Sequence, residues 1–193
     1  MDLVLASRSP RRIELIGRLG VTPHVEPADI DESPLAGENP VVYVERLALA
    51  KAITVHERFP GAVVLAADTT IDIDGDILGQ PVDEVDARRM LRRLSARTHR
   101  VHTGVAVCRA DGSRESLVVT SLVTFQPVTD ETMEWYIETG EWQGKAGSYA
   151  IQGLGGTLVA EYRGSLTGII GLPLRETARL LGIQRPPDPS EAS

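Results

Sequence analysis

Cysteine, aromatic residues, lysine and long apolar runs are all scarce in this chain of 193 residues, and each scarcity removes a class of function. With Cys108 as its one cysteine, the chain can build neither an internal disulfide framework nor a cysteine-rich metal site. In "VAVCRA" that residue is expected at a buried strand position. Two tryptophans and two phenylalanines beside a formal charge of -7 argue against a nucleic-acid surface, which needs a basic stripe with stacking aromatics. Any bound phosphate should therefore sit on a small molecule. The longest apolar runs, such as "AVVLAA" from Ala62 to Ala67, fall far short of the roughly 20 residues of a membrane span. The start "MDLVLA" lacks the basic region and long apolar stretch of a secretory signal, so a cytoplasmic protein without a membrane partner is expected.

Familiar nucleotide and hydrolase motifs are missing as well. "GEWQGKA" has the wrong spacing for a P-loop and Ala146 where a metal-binding hydroxyl belongs, and "GLGGTL" fails as a dinucleotide fingerprint. There is no G-x-S-x-G nucleophile elbow. His99 and His102, on one expected strand, should point to opposite faces, which argues against a zinc pair. Among the 20 basic residues only Lys51 and Lys145 are lysines. Either codon bias left these two over, or a compact ammonium is needed at each.

What is present is ordinary for a globular protein: 42% hydrophobic and 24% charged residues, in a length that suits one domain or two closely joined lobes. Residues 1–184 are expected to form that unit, and the Pro-rich, polar 185–193 a disordered tail. "DLVLA" reads as a buried strand. It leads into "SPRRIELIGRLG", a helix with Ser9 as its cap, Pro10 at its first position and Ile13, Ile16 and Leu19 on the apolar face. Residues 23–27 should form a second strand, followed by the acidic loop "ADIDES". Asn39 and Pro40 start a long helix whose stripe of Val44, Leu47 and Ala48 continues to Lys51. "AVVLAADTTIDIDGDIL" reads as a buried strand turning back at Asp74-Gly75. A helix from residue 83, a hairpin around Asp111-Gly112, a helix from residue 129, the glycine-rich "GEWQGKAGSYAIQGLGG", a strand "TLVAEYRGS" and a last helix "LPLRETARLLGI" complete the order. Hairpins mixed with crossovers imply an α/β fold on a mixed sheet, with polar loops at strand ends where ligands bind.

The residues with chemical potential are scattered. "SRSPRR" puts three arginines and two hydroxyls where the first strand meets the first helix, either a solvated helix start or an anion site. Asp68 ends a buried run, where a carboxylate needs a cation, a metal or hydrogen-bond donors unless the strand end is exposed. Glu32, Lys51 and the glycines of "GKAGSYAIQG" read singly as loop charge, a helix residue and a turn.

In order, however, "LASRSPRRIELI", "IDES", "RLALAKA", "AADTTIDIDGDILGQP", "RRLSARTHRVHTGV", "GKAGSYAIQGLGG" and "GLPL" resemble the Maf family of nucleoside triphosphate pyrophosphatases across nearly the whole chain. The resemblance implies a mixed, strongly twisted β-sheet with flanking helices, in two lobes around a cleft, similar to the inosine triphosphate pyrophosphatases. It also implies a homodimer, since the family is often dimeric. The activity implied is hydrolysis between the α and β phosphates of a nucleoside triphosphate, with Mg²⁺ or Mn²⁺. Ser9, Arg12 and Lys51 would then hold phosphate oxygens. Glu32 and Asp68 would hold the metal, and Asp68 would act as proton acceptor for the attacking water. Chemistry alone leaves base and metal ligand open at Asp68.

Arg11, Thr69 and Gln152 stand at the positions that separate branches of the family, and they resemble the branch acting on dTTP and UTP. A glutamine amide offers both donor and acceptor to a pyrimidine edge. The 7-methyl-GTP branch has tryptophan and glutamate at the first and last of these positions. This chain departs from the family at Gln80, where "GKP" usually supplies a phosphate-binding lysine, and Lys145 is the candidate to compensate. A purine triphosphate pyrophosphatase, or a nucleotide-binding regulator of cell division with weak catalysis, are the alternative readings.

Overall fold

Strand β1 (Leu3–Leu5) is wholly buried and lies parallel to β2 (His24–Val25) on one side and β3 (Val63–Ile73) on the other. The computed structural model describes residues 2–183, so the tail expected at 185–193 lies outside the described residues. From β3 onward the sheet is antiparallel through β5 (Thr98–Cys108), β6 (Arg114–Phe125) and β7 (Val159–Arg163). Strand β4 (Asp76–Leu78) folds back on the end of β3. The spatial order is β2-β1-β3-β5-β6-β7, a mixed twisted sheet as expected.

The helices follow from local signals. In α1 (Pro10–Gly17) proline occupies the first turn, where no amide partner is lost. In α2 (Pro40–His56) the Asn39 side chain accepts the Val41 amide. Asp83 and Thr129 cap α3 (Glu84–Leu94) and α4 (Asp130–Glu138) through the amides of Asp86 and Thr132. The β3–β4 turn has Asp74 at φ 59° and Gly75 at φ 87°, the left-handed pair of a two-residue hairpin.

Several sequence expectations need correction. Leu15 and Ile16 are the buried residues of α1, and Ile13 is 36% exposed. The helix meets its partners through the Leu15 side, a rotation that its short apolar pattern does not specify. The second strand pairs over only two residues. "TLVAEYRGS" is a strand only from Val159, because Leu154–Leu158 winds into a 3₁₀ turn. A short helix, α5 (Leu166–Ile170), capped by Ser165, precedes α6 (Leu174–Leu180). Its single turn carries too little periodicity to be seen.

Three long strands carry apolar packing in two halves, the upper one divided by the sheet into a cluster on each face. In the upper half of β3, Leu65 and Ala67 pack with Leu15, Ile16 and Leu180, while Val64 and Ala66 face Ala48, Ala52 and Val55 of α2. Beyond the polar interval Asp68–Thr70, Ile71 and Ile73 join Leu91, Leu94, Met133 and Tyr136 in the lower core. Strand alternation therefore sends Asp68 toward α2 and Thr69 toward α1. Opposite Asp68 in register is Gly104, where an added Cβ would lie 2.4 Å from the Val44 carbonyl oxygen. The missing side chain lets α2 press directly on the sheet beside Asp68.

Candidate active site

A cleft of about 1220 Å³ opens at this polar waist. All ten residues singled out in the sequence line it: Ser9, Arg11, Arg12, Glu32, Lys51, Asp68, Thr69, Gln80, Lys145 and Gln152. They come from the β1–α1 junction, the acidic loop, α2, β3, the end of the β3–β4 hairpin and the glycine-rich segment.

At the centre, Lys51 is 7% exposed and Asp68 6%. The ammonium donates to Asp68 Oδ1 at 2.7 Å and to Glu32 Oε2 at 2.8 Å. The cation that a buried Asp68 requires is thus Lys51, carried in on the apolar stripe of α2. Burial pushes the Asp68 carboxyl above the usual range, with Lys51 and Arg12 pulling the other way. Glu32 stays exposed on its loop, and the Tyr43 hydroxyl donates to its carbonyl at 2.9 Å. Desolvation, with Asp68 and Glu32 as negative neighbours, raises the Tyr43 phenol to about 12, so it remains a donor at neutral pH. Arg46 fixes the same loop from below: it donates to both oxygens of Glu38, at 2.6 and 2.7 Å, and to the Ser33 carbonyl at 3.2 Å.

On the other face of β3, Arg12 donates through Nε to the Gly171 carbonyl at 2.9 Å and through Nη2 to Thr69 Oγ1 at 3.2 Å. Thr69 in turn shares a 2.9 Å hydrogen bond with Thr103, which donates to the Gly168 carbonyl at 2.8 Å. Burial lowers the Arg12 pKa, opposed by Asp68; the guanidinium remains charged. The Thr69 hydroxyl is therefore bound into the support of Arg12. Ser9 stands at the helix start without a side-chain capping bond among the described residues, and its amide donates to Ser7 Oγ at 3.1 Å. Arg8, also at the cleft margin, is held in an exposed pair with Asp29 at 2.6 Å.

Arg11, Gln80, Lys145 and Gln152 also line the cleft. Gln80 and Gln152 are exposed. Burial and the nearby Arg11 charge lower the Lys145 pKa, and its ammonium donates to the Gln143 carbonyl at 3.0 Å. The glycine-rich segment is tied to the hairpin by the Gly147 amide, which donates to the Gly79 carbonyl at 3.0 Å.

As chemistry, the site has arginine, lysine and helix-start amides facing a buried carboxylate, the combination suited to a polyphosphate and a proton acceptor. Among the described residues the cleft is lined by three carboxylates, Asp29, Glu32 and Asp68, and the last two share Lys51. Among the described residues no group of three or more His, Cys, Asp or Glu is placed to hold a metal. Tyr43, Arg46, Thr103 and Gly171 belong to the site's framework, but the sequence gives them no signal beyond lying inside or beside recognisable blocks.

The model of the family described as Maf-like protein matches residues 2–183. The chain belongs to the Maf family. Among its relatives, a dTTP/UTP pyrophosphatase of Myxococcus xanthus is 52% identical over 191 residues, covering 99% of this chain and 96% of that protein. One of Symbiobacterium thermophilum is 46% identical over 182 residues, covering 93% and 92%. Solved structures extend the likeness of this Maf-family fold at low identity. A nucleoside-triphosphatase / dITP/XTP pyrophosphatase from Mycobacterium abscessus aligns with a TM-score of 0.50 at 16% identity, covering 96% of this chain and 98% of that one. A HAM1 protein from Coxiella burnetii aligns at 0.51 and 15%, covering 95% and 100%. At these identities the Maf-family chain shares their fold, and the likeness says no more.

Proposed function

We propose that this Maf-family protein is a nucleoside triphosphate pyrophosphatase acting on dTTP and UTP. The observation that carries the reading is the Lys51–Asp68 pair, buried at the floor of a cleft that also receives Arg12 and the start of α1. Similarity to relatives named dTTP/UTP pyrophosphatase supports the substrate.

Arg12 and Lys51, with the Ser9 hydroxyl at the helix start, hold the triphosphate oxygens and align the α-phosphorus. Asp68 takes a proton from the water whose oxygen attacks that phosphorus. The bond from the α-phosphorus to the bridging oxygen breaks, and pyrophosphate leaves, with the nucleoside monophosphate as second product. A carboxyl raised by burial is a stronger base than a solvated one, and a neighbouring ammonium keeps it ionised.

Glu32 and Asp68 fit a hard divalent cation: both are oxygen donors, and both reach the same ammonium, at 2.8 and 2.7 Å. Mg²⁺ or Mn²⁺ held by these two carboxylates would neutralise triphosphate charge. Arg11 and Gln152 face the base, where the amide of Gln152 pairs with a donor and an acceptor on the pyrimidine edge. Pyrophosphate release from a panel of nucleoside triphosphates with Mg²⁺ or Mn²⁺ tests the reading. The fastest turnover is expected for dTTP and UTP; no release from any pyrimidine triphosphate overturns it.

A further inference from the structure

Glu141 does not line the cleft, yet its carboxylate underlies the backbone that carries Gln152. Oε2 accepts the Leu154 amide at 2.8 Å, and Oε1 accepts the Gly155 amide at 2.8 Å and the Tyr136 hydroxyl at 3.0 Å. The two amides belong to the second and third residues after Gln152. Between them and Gln152 stands Gly153, where an added Cβ would lie 2.1 Å from Glu141 Oε2. The chain thus crosses the carboxylate at a distance that only glycine permits. Tyr136, fully buried in the lower core, anchors the other side of the carboxylate. Gln152 itself is exposed at the tip of this arrangement, so the direction of its amide depends on the backbone beneath it.

We infer that Glu141 is a positioning residue for base selection. Its carboxylate fixes the backbone of residues 153–155, and so sets the angle at which Gln152 meets the nucleobase. The inference rests on the reading of Gln152 as the residue that meets the base. A base-selecting hydrogen bond discriminates only if it is held in place, because a mobile amide can satisfy several edges equally.

The test is a double-mutant cycle read as the ratio of kcat/KM for dTTP to that for GTP. Glu141→Gln keeps the size of the side chain but puts an amide NH₂ against a backbone N–H, breaking one of the two loop bonds. The expected result is a ratio lowered about tenfold, carried by the KM for dTTP, with kcat within about twofold. In the Gln152→Ala background the same substitution should change the ratio no further, because both act through one contact. If Gln152→Ala shifts the ratio and Glu141→Gln does not, or if the two effects simply add, the positioning role is overturned while the base reading stands. If Gln152→Ala leaves the ratio unchanged, the base reading fails and the inference with it. An equal rise in KM for every triphosphate would place the effect in the charge that Glu141 exerts on Lys145, and would also overturn the inference. Should Glu141→Gln not fold, Tyr136→Phe removes one bond to the same carboxylate; a smaller shift in the same direction is expected, and no shift overturns the inference.

Discussion

Asp68 and Lys51 are each tolerable at their depth only because of the other. A lone buried carboxylate or ammonium would shed its charge, and the 2.7 Å contact allows both to keep it. Asp68→Asn should lower kcat by about 10²–10⁴-fold, the usual contribution of a general base. Nucleotide binding, measured by calorimetry, should survive, since the phosphate contacts come from other side chains. Near-native turnover would remove Asp68 from the mechanism. Gln80 is uncharged in a cleft that Arg11, Arg12, Lys51 and Lys145 also line. Gln80→Lys should lower the KM for dTTP about threefold, the size expected of one exposed charge, and an unchanged KM in steady-state assays would show that no phosphate reaches that point.

At the scale of elements, the site depends on how closely α2 lies on the sheet. Gly104 is the register partner of Asp68, and its absent side chain leaves room for the Val44 backbone. Gly104→Ala inserts a methyl against main-chain atoms, which cannot rotate away as a side chain would. It should cost about 1–3 kcal/mol in denaturant titration and, by lifting α2 from β3, lower kcat as well. A fully stable and active variant would show that α2 has freedom to adjust. The same helix holds the acidic loop through Arg46 and Tyr43, so a displaced α2 would carry Lys51 and Glu32 with it and leave Asp68 behind on β3.

Across the whole molecule, the cleft is the polar seam between the two halves of the apolar packing, which share three strands. His99 links the lower core to the cleft wall: it packs edge-on to Phe125 at 5.2 Å and shares a 2.8 Å hydrogen bond with Tyr149, which lines the cleft. Burial lowers its pKa from 6.5 to about 4, and its Nδ1 has no partner among the described residues. The unfolded chain therefore binds a proton that the folded one refuses between these values. The stability due to neutral His99 is present above pH 6.5 and lost as pH falls toward 4. At about 1.4 kcal/mol per unit the loss is on the order of 3 kcal/mol. Thermal melts should show His99→Gln less stable than the wild type at pH 7, with the gap closing on acidification through this window. A gap independent of pH would assign the His99 contribution to packing alone.

Much of this was legible in the chain itself. The buried β1, the proline start of α1, the capped start of α2, the Asp74-Gly75 turn and the Asp68 break in an apolar strand are local patterns, set by side-chain periodicity and backbone preference over a few residues; the side-chain cap expected of Ser9 on α1 does not form among the described residues. These patterns were enough to nominate Ser9, Arg12 and Asp68 by type; the order of the blocks named the family and, with it, the other seven cleft residues singled out. Assembly was not legible. Which face of α1 is buried, that the cation for Asp68 is Lys51, that the Thr69 hydroxyl braces Arg12, and that Gly104 and Glu141 matter at all depend on sheet register and on contacts between residues far apart in sequence. Periodicity determines which way a side chain points from its own element; only the packing of one element on another decides what it meets there.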